Sequence, residues 1–517
     1  MSRRPRSPQV CLGVLSATAL VLSACTADTP SASGDPAGTS LVIAVAEEPA
    51  SLHPLAGFAE HGAARIYDGL VEHRADGSVR PVLAEDLPEP APDGRSWTAR
   101  LRHGVTFTDG TAFDAADVVA TYAAILNPAY ASSVRQRFAV LTAVTQVDTS
   151  TVRFDLAQPY APFLDLLVLG IVPSQSLATP APVTAGPPPP GTGPYRLTEW
   201  RPGTQLSLEA NESYFDGAPK IRKVTVEFLP DDDTRAARMR DGKLDGAALP
   251  PRLARAFDGA GGIQVVGHGA ADLRAVRLPD TNPVTADPAL RLALNYGVNR
   301  KALVEGPLAG KGTSASTPVP PVLAEFVEPA AEYPYDVTKA LDTLAEAGWL
   351  PGPDGTRTRA GVPAAFTLLY PVRDSISREL ATAFATAAQG IGVRVEAKAA
   401  DHATLTARAG QDAALAAFGN PFDPDFGLYQ QLRGKINPTA DAALDTGHTA
   451  SDPAQRAAAY RKLQRAYLGA PTMVVLAAPD HTYVMRNNWT GYQPVTDADR
   501  ADFTWGAWWN LHRWTPR

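Results

Sequence analysis

Once a leader is set aside, the body of this chain contains no cysteine, and that limits how it can be held together. Only Cys11 and Cys25 occur in the 517 residues. Cys11 lies in an apolar run, Cys11 to Leu22, that follows a basic start of Arg3, Arg4 and Arg6. A short basic region, a short apolar region and the small residues Ser23 and Ala24 make a secretory signal over residues 1–24. The run is too short to cross a bilayer as a permanent helix. With 1–24 removed, the one remaining cysteine stands at the new terminus. No disulfide framework and no cysteine metal site is then open to the folded body. Stability must come from burial, and a chain this long can bury a large core, in about two to four domains.

The stretch Leu22-Ser23-Ala24-Cys25 resembles the lipobox of bacterial lipoproteins. That resemblance implies acylation of Cys25 and a protein tethered at the extracytoplasmic face of the bacterial cell membrane; the plainer reading is a secretory signal with an incidental cysteine. Residues 25–40 are small, polar and acidic with Pro and Gly, as in a flexible tether. The whole chain carries net charge −7, and all three charges of the leader are Arg, so the remainder is more acidic still. Phosphate backbones need a basic face, so nucleic acid is excluded as an expected partner. A polybasic membrane patch is excluded too, which leaves attachment to acyl chains.

Ordered structure is expected from Leu41 to Ala46, an apolar run typical of a buried strand. Asp114 to Leu126 reads as a helix with Asp114 as cap, Asp117 completing a capping-box-like pair, and Val118, Tyr122, Ile125 and Leu126 on one face. Asp287-Pro288 and Asp452-Pro453 open two more helices, the latter through Leu468. Asp374 to Gln389 reads as a helix with Ile376, Leu380, Phe384 and Ala388 inward, stopped at Gly390. Val393 to Ala397 alternates like a strand. Pro180 to Gly193 reads as a domain-edge loop. The mixture points to an α/β or mixed α+β protein of several lobes.

A series of segments resembles the extracytoplasmic solute-binding proteins of peptide/nickel-type (family 5) ATP-driven importers. It opens with Glu47-Glu48-Pro49-Ala50-Ser51-Leu52-His53-Pro54, then Ile66 to Val71 and Pro81 to Glu85. Leu101 to Thr111, leading into Ala115 to Val119, carries the resemblance furthest; Gly191 to Tyr195, Asn211 to Phe215, Leu290 to Tyr296 and Lys339 to Asp342 follow in order. Physically these are scaffold: Asp109-Gly110 is a turn signal, and Gly191 and Gly193 would let the backbone turn tightly. The resemblance implies a two-lobed periplasmic-binding-protein type II fold with an accessory domain. Residues 41–60, 191–270 and 481–517 would form lobe I, 61–190 the accessory domain and 271–480 lobe II. Ligand binding would close the lobes about a hinge. The implied role is a monomeric receptor that captures an oligopeptide or peptide-like solute and passes it to the permease and ATPase subunits of an importer.

The segment Ala417 to Phe426 is the best ligand-site candidate. Phe418 and Phe422 can pack on a ligand body while Asn420, Asp423 or Asp425 hold polar ends; the competing reading is a turn-rich loop, since Asn-Pro and Asp-Pro are turn dipeptides. The resemblance implies an Asp that pairs with the ligand's ammonium group, and Asn420 stands in its place. An amide holds an ammonium more weakly than a carboxylate, so either Asp423 does that work or the ligand lacks a free amino terminus. Tyr370 and Arg373 are further candidates, Arg373 as a bidentate carboxylate holder, with Asp374 read as a helix cap. His53 is a candidate cleft residue. Trp505, Trp508, Trp509 and Trp514 are expected to pack the terminal part of lobe I.

Enzymatic chemistry is not expected. Neither a Gly-x-Ser-x-Gly elbow nor a His-Glu-x-x-His pair occurs. Gly306 to Thr313 resembles a phosphate loop, but its Gly-Lys spacing is one residue short. The nine His are scattered, so no cofactor and no metal site is expected; nickel or haem as cargo, and a signalling or chaperone-like binding lipoprotein, stand as alternatives.

Overall fold

A computed structural model describes residues 38–62, 65–184, 186–500 and 502–517. Cys25, the signal segment and the tether up to residue 37 lie outside the described residues.

Among the described residues two large mixed sheets organise the chain. The seven-stranded sheet runs in the order Ile263–His268, His481–Arg486, Gly246–Ala248, Ser40–Val45, Lys223–Phe228, Gln205–Ala210, Tyr195–Arg201. Its centre is the expected first strand, which pairs parallel on both sides. Leu41, Ile43, Ala44 and Val45 are buried, and a strand covered on both faces reads as an unbroken apolar run. The six-stranded sheet runs Gly312–Ser314, Met473–Pro479, Leu273–Arg277, Ala413–Phe418, Ala365–Pro371, Arg394–Ala400.

The chain passes from the first sheet to the second between His268 and Leu273, and returns across Asp480 alone. Both crossings are short, so the two sheets are joined at one place.

A four-stranded sheet, Glu89–Pro90, Ser96–Arg100, Thr151–Leu156 and Leu141–Asp148, lies with the helix Ala115–Leu126. Asp114 caps that helix and Asp117 completes the capping box. Its Tyr122 and Ile125 and the strand residue Phe154 belong to the same continuous apolar core as Leu41 and Val224 of the first sheet. Gly191 and Gly193 are needed here for close approach and not for a left-handed turn: neither has positive φ, and a Cβ would meet the carbonyl oxygens of Ile66 and Arg65 at 1.9 and 2.5 Å.

The long helix of the second region is Ser375–Gly390, capped by Asp374. It runs one residue further than expected and continues through Gly390; the left-handed residue is Gly392. Leu380, Phe384 and Ala388 are buried beneath it, and Ile376 packs on the same cluster half-buried.

Candidate ligand cleft

The loop after the strand Ala413–Phe418 is shaped by its own polar side chains. Gly419 takes φ +143°, and a Cβ there would meet the Ala271 carbonyl at 1.8 Å, so only glycine fits. The Asn420 side-chain oxygen accepts from the amides of Phe422 and Asp423 at 2.9 and 3.2 Å, an Asx turn. Asp423 accepts from the Asp425 amide and forms a two-bond pair with Arg456, at 2.7 and 2.8 Å. Burial alone would lower the Arg456 value, but the bond to Asp423 outweighs it and holds the guanidinium above its ordinary value. Asp425 accepts from the hydroxyls of Tyr160 and Tyr460 at 3.0 and 3.1 Å and faces His448 Nδ1 at 3.0 Å. All three residues are buried. Their polar atoms fix the loop to the helices Pro438–Thr449 and Pro453–Gly469 and to Tyr160.

Phe422 packs against residues from other parts of the chain. Its ring stacks on His73 at 3.4 Å between centroids, edge-on to Trp505 at 5.1 Å and beside His61 at 6.2 Å. Segments around residues 61–73, 422 and 505 therefore meet on one aromatic side chain.

Around this point the fold gathers charges from distant parts of the chain. Arg137 pairs with Glu60 at 2.7 Å and lies over the Phe426 ring at 5.3 Å. Arg500 pairs with Glu47 at 3.2 Å and approaches Asp499 at 4.0 Å. Burial would raise Glu60, but the fields of His61 and Arg137 outweigh it and hold the carboxyl below its usual value. Burial raises Asp499, against the pull of His61 and Arg500. Glu60 keeps 41% of its side chain open to solvent, so this charged wall is partly open to water. Elsewhere between the two regions Ser375 donates to Asp232 at 2.7 Å and Arg252 pairs with Glu379 at 3.1 Å.

A buried network lies at the two crossings. Asp497 receives His268 Nδ1 at 2.7 Å, His481 Nδ1 at 3.1 Å and the Tyr483 hydroxyl. His481 Nε2 faces Asp272 at 3.3 Å. Asp272 also accepts two bonds from Arg274, which reaches on to Asp374 and Ser377. Asp374 is thus both the helix cap and the far end of this network.

The other candidates lie apart from the loop's polar cluster. Phe418 is buried in the core of the second region, under the Arg277 guanidinium. Tyr370 is half-buried against the neighbouring core. Arg373 is exposed just before the long helix. His53 is buried and caps the short turn Pro54–Ala56, Nδ1 accepting from the Leu55 amide at 3.1 Å; burial pushes its pKa down to about 4. Trp508 and Trp514 are core residues under the first sheet, while Trp505 and Trp509 form a separate cluster against which Phe422 packs. Glu60, His61, His73, Arg137, Asp499 and Arg500 are the residues that the sequence reading missed; no local pattern marks them. Among the described residues, no three His, Cys, Asp or Glu side chains are grouped as metal ligands.

Two large mixed sheets joined by two short, adjacent crossings are the architecture of two-lobed solute receptors. The chain belongs to the bacterial extracellular solute-binding proteins, family 5, whose model matches residues 78–439. It is 39% identical to protein XP55 of Streptomyces lividans over 472 residues, covering 89% of this chain and 87% of that protein. It is 30% identical to the glutathione-binding protein GsiB of Escherichia coli K12 over 363 residues, 68% of this chain and 67% of GsiB. The crystal structure of NikZ from Campylobacter jejuni, in complex with Ni(L-His), superposes with a TM-score of 0.84 at 25% identity, covering 92% of this chain and 99% of NikZ. The fold is the type II fold of periplasmic binding proteins.

Proposed function

We propose that the protein is a membrane-anchored receptor that captures an oligopeptide or peptide-like solute between its lobes and delivers it to the permease of an ATP-driven importer. Residues 41–60, 191–270 and 481–517 act as lobe I, 61–190 as the accessory domain and 271–480 as lobe II. The single observation that carries the reading is the packing of Phe422 on His73, His61 and Trp505, where His61 adjoins the Glu60–Arg137 pair. An aromatic platform beside mixed charge suits a compact molecule with both an ammonium and a carboxylate. The glutathione-binding relative supports this class of ligand. In this reading Asp423 and Asp425 support the loop, and the wall receives the ligand's charged ends. The acyl chain on Cys25 holds the receptor at the outer face of the membrane, the protein works as a monomer, and it performs no chemistry on its cargo.

Native mass spectrometry of protein lacking residues 1–24 tests this. A bound peptide-like mass is expected, and adding that compound should raise the melting temperature without turnover, as linkage requires. A bound metal complex, or hydrolysis of the bound compound, would overturn it.

A further inference from the structure

Arg65 stands in the turn ahead of the strand Val71–His73, away from the cleft wall. It is 2% exposed and has a left-handed backbone, φ 66°. The conformation is locked: its carbonyl accepts from the Tyr195 amide at 2.9 Å, and Gly193 leaves no room beside it. Its guanidinium makes one hydrogen bond, from Nη1 to the Trp509 carbonyl at 2.8 Å. Among the described residues, Nε and Nη2 are buried without a hydrogen-bond partner, and Arg65 takes part in no ion pair. Buried charges are ordinarily paired, because an isolated one forfeits its hydration.

Arg65 borders a cavity of about 20 Å³ shared with Tyr67, Asp68, Glu72, Tyr214 and His512. His512 adds a further donor. Its Nε2 accepts from Arg513 Nε at 3.1 Å, so the ring proton sits on Nδ1, and Nδ1 is buried without a partner. The nearby carboxylates are already engaged. Asp68 accepts from the hydroxyls of Thr192 and Tyr214, and Glu72 pairs with Arg80. Three nitrogen donors on two residues that line one small space thus have no hydrogen-bond partner among the described residues.

We propose that this cavity binds a single monatomic anion of halide size, chloride under ordinary conditions, received by Arg65 Nε and Nη2 and His512 Nδ1. An anion is acceptor-only and would take the hydrogen bonds that the Arg65 and His512 donors leave unmade. Room for one water begins at about 10–15 Å³ on the same scale, so the space takes one atom-sized occupant and rejects sulfate or phosphate. The site ties together the segments around residues 65–72, 194–214 and 509–512, so its occupancy should be felt in stability.

The test uses the protein lacking residues 1–24. Crystals soaked in bromide should show an anomalous peak between Arg65 and His512. Melting temperature should rise by about 2 to 3 °C when chloride replaces gluconate at equal ionic strength and a hundredfold excess over Kd, and the rise should vanish in Arg65→Met. No bromide peak, with ordinary water in the cavity, overturns the proposal; so does a chloride effect that survives in folded Arg65→Met. Should Arg65→Met fail to fold, the bromide measurement on the unaltered protein decides alone.

Discussion

The loop 419–426 and the wall across from it carry similar side chains and use them in different ways. In the loop, Asp423 and Asp425 are buried and engaged by Arg456, Tyr160, Tyr460 and His448. On the wall, the pairs Glu60–Arg137 and Glu47–Arg500 are partly or largely open to water. Partners already made inside the protein are unavailable to a ligand, and breaking them leaves a buried charge. Solvent-facing pairs cost little to rearrange. Charge in the loop is held by internal partners, while charge on the wall can change partners at little cost.

The largest effect should come from Asp423→Ala. It strands the Arg456 guanidinium inside the protein, and removing one member of a buried pair costs about 3–5 kcal/mol. Urea unfolding should show that loss. Unchanged stability together with collapsed ligand affinity would reverse the comparison and make the loop the binding surface.

The network at the crossings belongs with the loop by this criterion, and it adds dependence on pH. Burial would lower the His481 value, but its bonds to Asp272 and Asp497 outweigh it and raise the pKa from 6.5 to about 9. A raised folded value means the stabilisation is complete below the unfolded value, near pH 6.5, and is lost as pH rises through 9. The interval corresponds to about 3 kcal/mol. Denaturation at pH 6.5 and 9.5 should show most of this difference in the native protein and little of it in His481→Gln. Equal slopes in the two proteins would mean that His481 is not the titrating group.

Local features of this fold were legible because their causes are local. Asp114, Asp287, Asp374 and Asp452 each cap the helix expected of them, since an N-cap depends on only the next few residues. The end near Gly390 was misjudged because a glycine can sit in a right-handed last turn as readily as it stops one. The candidate loop was legible as a loop. Its chemistry was not, because Asp423 is answered by Arg456 and Asp425 by Tyr160, far along the chain. The wall was invisible for the same reason: Glu60, Arg137 and Arg500 become neighbours only when three parts of the chain have folded together.

The smallest effect on stability, and the sharpest on function, is expected from Arg500→Ala and Arg373→Ala. Arg500 keeps 69% of its side chain exposed and its partner Glu47 72%; Arg373 is exposed as well. Surface substitutions of this kind change stability by about 0.5 kcal/mol or less. The two positions differ in place. Arg500 sits on the wall beside Asp499, whereas Arg373 stands at the start of the long helix, beyond the network that ends at Asp374. If the wall holds the ligand's charged ends, Arg500→Ala should lower affinity about tenfold, or 1.4 kcal/mol, with unfolding unchanged. A comparable loss in Arg373→Ala would extend the site to the start of that helix and assign that guanidinium to a ligand carboxylate. Binding isotherms for both variants that match the unaltered protein would remove the wall from the site, and would return the ligand to the aromatic surface of Phe422 and Trp505.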